Sequence, residues 1–255
     1  MAPALDATAR RDKHLFRLAY GVLALAFWVS LAGFVVLLAR PNHSKPLVWS
    51  TWQPKNQGLT GAHEIAQRIG PSYKSPNGTQ LVAVQEHGPS VQGLHLEAVG
   101  VRRLGQSGQI DPYIGLFGTD RTLIYAFCGL QTNCSIAGTN TSVKERILRR
   151  EALELSLFAF KYLKNVDQVV SLVQTVKDGG TSAVFLRKRD LQPELDHPLR
   201  DTLPLVTPPP AGSGNAKESA IIDALTLQNT FPAHYESLPD GDAILVLDVA
   251  AQGGG

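Results

Sequence analysis

The feature that most constrains the fold is an uncharged apolar run of 22 residues, from Leu18 to Ala39. As a helix this run would be roughly 33 Å long, which matches the hydrocarbon core of a bilayer, about 30 Å thick. A cleaved signal peptide is the alternative, but its apolar region is usually shorter, about 7–15 residues. Leu37 and Ala39 also make a poor cleavage site. The sequence therefore predicts a transmembrane helix over residues 18–39 that stays attached as an anchor.

Basic residues near the two ends of this run indicate its orientation. Four of them lie in residues 1–17: Arg10, Arg11, Lys13 and Arg17. Beyond the run, Arg40, Lys45 and Lys55 are spread more thinly. Because basic residues concentrate on the cytoplasmic side, we expect a cytoplasmic N-terminus and a C-terminal part outside the membrane. Residues 1–17 also account for the whole net charge of +2, so the remainder is neutral and does not have the charge of a nucleic-acid binder.

The two cysteines, Cys128 and Cys134, enclose five residues. They are too few for a disulfide-built scaffold or a four-cysteine zinc site. In an oxidising compartment such a pair forms a disulfide, which we predict as the staple of a loop. A redox-active dithiol is the less favoured alternative, because the spacing is not C-x-x-C. The sequence predicts neither a cofactor nor a metal site.

Prolines and glycines divide the rest of the chain. Pro41, Pro46 and Pro54 predict an extended stalk over residues 40–59, followed by one domain over residues 60–250. Residues 204–216 are rich in proline and glycine. We interpret them as a long loop inside the domain, because too few residues follow for a second core. Residues 251–255 are predicted to be disordered.

Hydrophobic periodicity indicates an α+β domain with a mostly antiparallel sheet packed on a central helix. The central helix is predicted over residues 142–164, where Ser142 and Glu145 form a capping-box pattern. A shorter helix is expected near residues 218–227, and helical pieces within 189–203. Gly88-Pro89 predicts a hairpin between the strands at 79–86 and 93–102, and residues 177–180 predict another between 168–176 and 182–187. Further strands are expected at 110–117, 121–128 and 243–249, the last returning to the main sheet.

Few residue patterns point to chemistry. His63 to Gln67 lacks the second histidine of the zinc-protease pattern, and no nucleotide-binding glycine motif is present. An acidic and imidazole cluster is interpreted as a solvated helix end, with cation binding as the alternative: Asp190, Glu194, Asp196 and His197. A basic group is interpreted as a solvated face, with contact to anionic headgroups or envelope polymers as the alternative: Lys144, Arg146, Arg149 and Arg150.

The tryptophans Trp49 and Trp52 are the most suggestive pair for recognition. Exposed indole rings could contact a ligand or a partner. The favoured interpretation is structural: the rings dock the stalk onto the domain or rest at the bilayer surface.

Together these patterns predict a single-pass membrane-anchored protein whose extracytoplasmic domain binds or scaffolds other membrane or envelope proteins. A membrane-tethered envelope hydrolase is the alternative, with residues from the cluster between Asp190 and His197. A signalling protein is less favoured, because the inner tail of residues 1–17 is too short for a folded domain.

Overall fold

The computed structural model describes residues 20–31, 48–91, 93–103, 113–130, 134, 136, 141–174, 180–210 and 215–249. The chain divides into two compact units, Met1–Leu47 and Val48–Gly255. In the first unit the described residues form one helix, α1 (20–31), and every one of them is exposed. Within the described part of the chain, no helix is both long enough and apolar enough to cross a membrane. The rest of the predicted span 18–39, and the basic residues Arg10, Arg11, Lys13 and Arg17, lie outside the described residues.

The second unit contains five further helices in its described residues: α2 (Gly58–Ile69), α3 (Ser142–Tyr162), α4 (Gln192–Asp196), α5 (Leu199–Thr202) and α6 (Ala216–Thr226). A short 3-10 segment, Gly70–Ser72, follows α2, and another, Lys188–Leu191, precedes α4. Helix α3 is the predicted central helix, and most of its residues are buried. Its N-cap is Thr141, whose hydroxyl accepts the Lys144 N–H at 3.2 Å, and not Ser142 as the capping-box pattern predicted.

Nine strands occur in the same described part: β1 (Ala83–His87), β2 (Ser90–Val91), β3 (Leu94–Val101), β4 (Gly115–Gly118), β5 (Thr122–Cys128), β6 (Gln168–Gln174), β7 (Thr181–Arg187), β8 (Thr230–Ser237) and β9 (Ala243–Leu247). They form one sheet in the order β1-β5-β6-β7-β8-β9-β3-β2, with β4 also paired to β3. The β5–β6 and β3–β9 pairs are parallel and the other pairs are antiparallel. The predicted α+β class is therefore confirmed, with a mixed sheet.

The sheet separates two hydrophobic cores, because successive side chains of a strand point to opposite faces. Val169 and Val173 of β6 belong to the core that also contains the buried residues of α2 and α3. Val170 and Leu172 belong to the second core, which is built from strand residues. Such burial on both faces explains why β6 and β7 are almost continuously apolar in sequence.

One predicted hairpin is wrong. The strands at 79–86 and 93–102 do not pair; β1 pairs with β5, and β3 pairs with β9, β4 and β2. The tight turn lies a few residues later than Gly88-Pro89, at Gly93, whose φ of +83° suits glycine. The second predicted hairpin is confirmed, since β6 and β7 pair antiparallel from Gln168↔Arg187 to Gln174↔Thr181.

Strand β8 is absent from the sequence-based prediction. Its Pro232 argues against a central strand, because proline has no N–H for the ladder. In the structure the Pro232 carbonyl accepts the Asp248 N–H at 2.8 Å, one residue beyond the end of β9. The missing N–H therefore falls at the end of the β8–β9 ladder, where it removes little pairing.

The predicted stalk of residues 40–59 also differs from the structure. Its last part belongs to the second unit, which begins at Val48, and α2 already begins at Gly58. Trp49 is 8% exposed and lies in the core on the helix side of the sheet. Burial of this large ring explains why the segment follows the domain surface instead of extending away from it.

Candidate functional site

Of the four basic residues near the start of α3, Lys144, Arg149 and Arg150 are buried and Arg146 is partly buried, so their interpretation as a solvated face is wrong. Arg149 and Arg150 are 9% and 1% exposed, and the ammonium group of Lys144 donates to the Ile136 carbonyl at 3.4 Å. Arg146 and Arg149 both donate to Asp223 of α6, at 3.0 and 2.7 Å. Arg146 and Arg149 therefore join α3 to α6, and Lys144 joins α3 to the segment before it.

Arg150 is the centre of a buried polar cluster. It donates to Glu154 and to Glu218, each at 3.0 Å, and to the hydroxyl of Tyr73. That hydroxyl in turn donates to Glu154 at 2.5 Å. A fourth bond, of 2.8 Å, joins Arg150 to the Leu205 carbonyl. One guanidinium therefore ties α3 to α6, to the segment after α2, and to the predicted loop of residues 204–216.

Burial shifts the titration of this cluster. Desolvation raises the pKa of Glu154, although hydrogen bonds from Arg150 and Tyr73 oppose the shift. Desolvation raises the pKa of Tyr73 as well, and the neighbouring Glu154 adds to it. Both groups therefore keep their protons to a higher pH than they would in water, which limits the charge inside the domain.

Glu151 lies beside the cluster and has a different environment. It is completely buried, and among the described residues neither of its carboxylate oxygens has a hydrogen-bond partner. Desolvation, followed by repulsion from Glu154, raises its pKa well above the ordinary value. With no route to solvent, this acid is a feature of the core and not an accessible catalytic group.

A cleft of about 500 Å³ opens where the segment after α2 faces the proline-rich loop. We call it the proline cleft, and its lining residues are Gln67, Arg68, Pro71, Ser72, Lys74, Thr207, Pro208 and Pro210. Its walls are the segments that carry Tyr73 and Leu205, both of which contact Arg150. The buried cluster therefore fixes the distance between the two sides of the cleft.

A second cleft of similar volume lies near the ends of β6 and β7. We call it the arginine cleft, and its lining residues are Phe117, Asp167, Gln168, Arg187, Lys188, Arg189 and Gln192. The Arg187 guanidinium lies 5.7 Å from the centre of the Phe117 ring and pairs with Asp190 at 2.5 Å. Arg189 also approaches Asp190, at 3.5 Å. Much of the positive charge in this cleft is already compensated.

The cluster of Asp190, Glu194, Asp196 and His197 does not converge on one point. Asp190 pairs with Arg187, Glu194 accepts the Thr202 hydroxyl, and Asp196 accepts the Gln192 amide. Among the described residues no group of three or more His, Cys, Asp or Glu side chains is arranged to hold a metal ion. These acids instead bond to separate neighbours that lie three to eight residues away in sequence.

The two tryptophans are placed against α3. The Trp49 ring stacks edge-on to Phe158 and Tyr162, with centroid distances of 5.3 and 5.5 Å. Its indole N–H approaches the Glu194 carbonyl at 3.4 Å. Trp52 is partly buried and lies 5.7 Å from Phe158. Trp49 is thus enclosed by the domain, whereas Trp52 is only partly buried against it.

Cys128 and Cys134 form the predicted disulfide, with Cα atoms 4.4 Å apart. It joins the end of β5 to the segment that leads into α3. Its loop is also closed by a backbone bond from the Gly129 N–H to the Cys134 carbonyl at 2.8 Å.

Comparison with known proteins gives no match, whether with protein-family models, curated proteins or solved structures. The candidate site therefore rests on geometry alone. Sequence reasoning identified the loop of residues 204–216 but missed Arg68 and Lys74, because isolated basic residues give no signal until the fold brings them to one cleft.

Proposed function

We propose that the chain is a single-pass membrane-anchored protein with an extracytoplasmic binding domain. Residues 18–39 form the anchor, the tail with Arg10, Arg11, Lys13 and Arg17 faces the cytoplasm, and the second unit binds or scaffolds other membrane or envelope components. Its partners are the bilayer and other envelope proteins.

The observation that carries this proposal is the exposure of α1. Its large apolar side chains are between 40% and 69% exposed: Tyr20, Val22, Leu23, Leu25, Phe27, Trp28, Val29 and Leu31. Leaving such a surface in water costs about 25 cal/mol for each Å². Lipid is a solvent that removes this cost, and the uncharged run around α1 is long enough to span it.

The disulfide supports the outward placement of the domain, because disulfides persist in oxidising compartments and are rare in the cytoplasm. A binding role is supported by the two clefts and by the side chains that line them.

Topology is testable with single added cysteines. In intact cells a membrane-impermeant maleimide is expected to label Lys217→Cys, on the exposed start of α6, without permeabilisation. Ala7→Cys, in the tail, is expected to react only after permeabilisation. The reverse pattern would overturn the orientation, and recovery of both variants in the soluble fraction would overturn the anchor.

Partners are testable by crosslinking the intact protein in native membranes. We expect reproducible adducts with a small set of envelope proteins. The hydrolase alternative is supported instead if the purified protein turns over envelope material and forms no specific adduct.

A further inference from the structure

We propose that the proline cleft binds the phosphate group of an organic phosphate ester. This inference specifies the ligand class of the binding role proposed above and rests on that role, though not on the membrane anchor. Arg68 and Lys74 would hold the anion, and the prolines would contact the organic part of the ligand.

The charge distribution in the cleft is the first argument. Arg68 and Lys74 are both exposed, and no ion pair joins either of them to another described residue. The described lining contains no Asp or Glu. Two cations that share a concave surface without an acid attract an anion, because the walls restrict solvent and strengthen the interaction. The arginine cleft differs, since Asp190 compensates Arg187 and Arg189.

The uncharged polar groups are the second argument. Gln67, Ser72 and Thr207 add an amide and two hydroxyl groups to the lining. Arg, Lys, Ser, Thr and Gln side chains are the groups that commonly donate hydrogen bonds to phosphate oxygens. A phosphate has more acceptor oxygens than a single carboxylate and can use several such donors at once.

The walls are the third argument. Pro71, Pro208 and Pro210 have no N–H group and a fixed φ, so they present a stiff apolar surface. Pro208 is buried, and Arg150 bonds to Leu205 and Tyr73 on the two sides of the cleft. A cleft that is already ordered loses little conformational entropy when a ligand binds.

The test uses the full chain in dodecyl maltoside, a detergent without phosphate, titrated calorimetrically with glycerol 3-phosphate and with inorganic phosphate. We expect the ester to bind more tightly than inorganic phosphate, and its affinity to fall as salt rises. Arg68→Gln and Lys74→Gln are each expected to weaken binding by about tenfold or more, because each removes a hydrogen bond from a charged donor to the phosphate. Both side chains are exposed, so the variants should keep the unfolding temperature of the parent.

The matched controls are Lys164→Gln and Arg200→Gln, which remove the same charge from exposed positions outside both clefts. They are expected to leave the affinity unchanged. Adding phosphatidylglycerol to the micelles distinguishes the source of the phosphate: weaker binding of the soluble ester in its presence would identify a lipid headgroup as a competing occupant of the cleft.

Equal losses in all four variants would overturn the site, because a general charge effect would then explain the binding. Failure of the parent protein to bind either phosphate probe would overturn it as well. The binding role itself would stand in both cases if the crosslinked adducts are found, so the two proposals fail separately.

Discussion

Glu151 is the most unusual residue of the domain, because a carboxyl group in an apolar core is normally paired. It faces the backbone of Gly70 closely: a Cβ atom at Gly70 would lie 3.7 Å from one carboxylate oxygen. Two titratable groups act on its charge, Glu154 by repulsion and Arg150 by attraction, and Glu151 in turn acts on Tyr73. Since burial and repulsion together raise its pKa, folding retains a proton that the unfolded chain releases.

We predict that Glu151→Gln stabilises the domain above about pH 4.5, the ordinary pKa of the group. Above that pH the unfolded chain ionises Glu151 while the folded state holds the proton, so the stability of the parent falls as pH rises. The variant lacks this loss, so its stability relative to the parent should rise between pH 4 and pH 8. Urea unfolding at both pH values measures the difference.

The matched control for this prediction is Glu97→Gln, which removes an exposed carboxylate of β3. Its stability should follow that of the parent at both pH values. The prediction is contradicted if Glu151→Gln is less stable than the parent at pH 8. Glu154 has a raised pKa of its own, so only the difference between parent and variant reports on Glu151.

At the scale of elements, the contact between α3 and α6 is held by arginines of one helix and acids of the other. Asp223 accepts bonds from Arg146 and from Arg149, and Arg149 also donates to Thr226 at 2.7 Å. Burial acts to raise the pKa of Asp223, but the hydrogen bonds from the two arginines outweigh it and lower the pKa. The stabilisation is therefore present above the ordinary pKa of 3.8 and is lost as pH falls below it.

We predict that Asp223→Asn loosens α6 and costs about 1.5–3 kcal/mol at pH 7, because it weakens hydrogen bonds between charged groups and leaves two guanidinium groups without their counter-charge. The stability difference between parent and variant should shrink as the pH falls below 3.8, because Asp223 of the parent then loses its charge. Hydrogen exchange of the α6 amides, together with urea unfolding, measures it.

Asp120→Asn, at the exposed turn between β4 and β5, is the control for Asp223→Asn. It should leave both measurements unchanged. Equal protection of the α6 amides in Asp223→Asn and in the parent would contradict the prediction, because the Arg150–Glu218 pair and apolar packing would then hold the helix without Asp223.

The elements that sequence patterns predicted well are those whose signal is local. Helix α3 and strands β5, β6, β7 and β9 have apolar periodicity or runs within their own residues. The arginines of α3 were misjudged because their partners on α6 lie more than 60 residues away in sequence. Strand β8 was missed because Pro232 conflicts with a strand locally, and only its position at the end of a ladder resolves the conflict.

At the scale of the whole molecule, the disulfide closes a short loop between the sheet and the central helix. In the chain-entropy description, cross-linking residues six apart restricts the unfolded chain modestly. The two hydrophobic cores are built from elements throughout residues 48–249, so the disulfide adds to a fold that the cores already define.

We predict that the double variant Cys128→Ser, Cys134→Ser still folds and loses about 2 kcal/mol of stability. Reduction of the parent should produce the same loss, because both treatments open the same loop. Thermal unfolding of the oxidised parent, the reduced parent and the variant measures it. Complete unfolding of the variant at 25 °C would contradict the prediction and would make the disulfide essential.

The proline cleft is also a property of the whole molecule, because segments far apart in sequence form it. Its loop was recognisable from the prolines and glycines of residues 204–216, whereas the opposite wall comes from a segment about 140 residues earlier. The distance between the two walls of the cleft is set by Arg150, which lies on a third element, α3. No local pattern contains that information, because it depends on how three distant segments meet.

The position of β9 has a consequence for biogenesis. This strand, the last in the described part of the chain, lies between β8 and β3, so it joins two parts of the sheet that are otherwise unconnected along their edges. If the chain is threaded outward from the anchor proposed above, β3 is exposed long before residues 243–247 emerge. The sheet would have to wait for its final strand, and export machinery would have to keep the earlier strands from pairing wrongly in the interval.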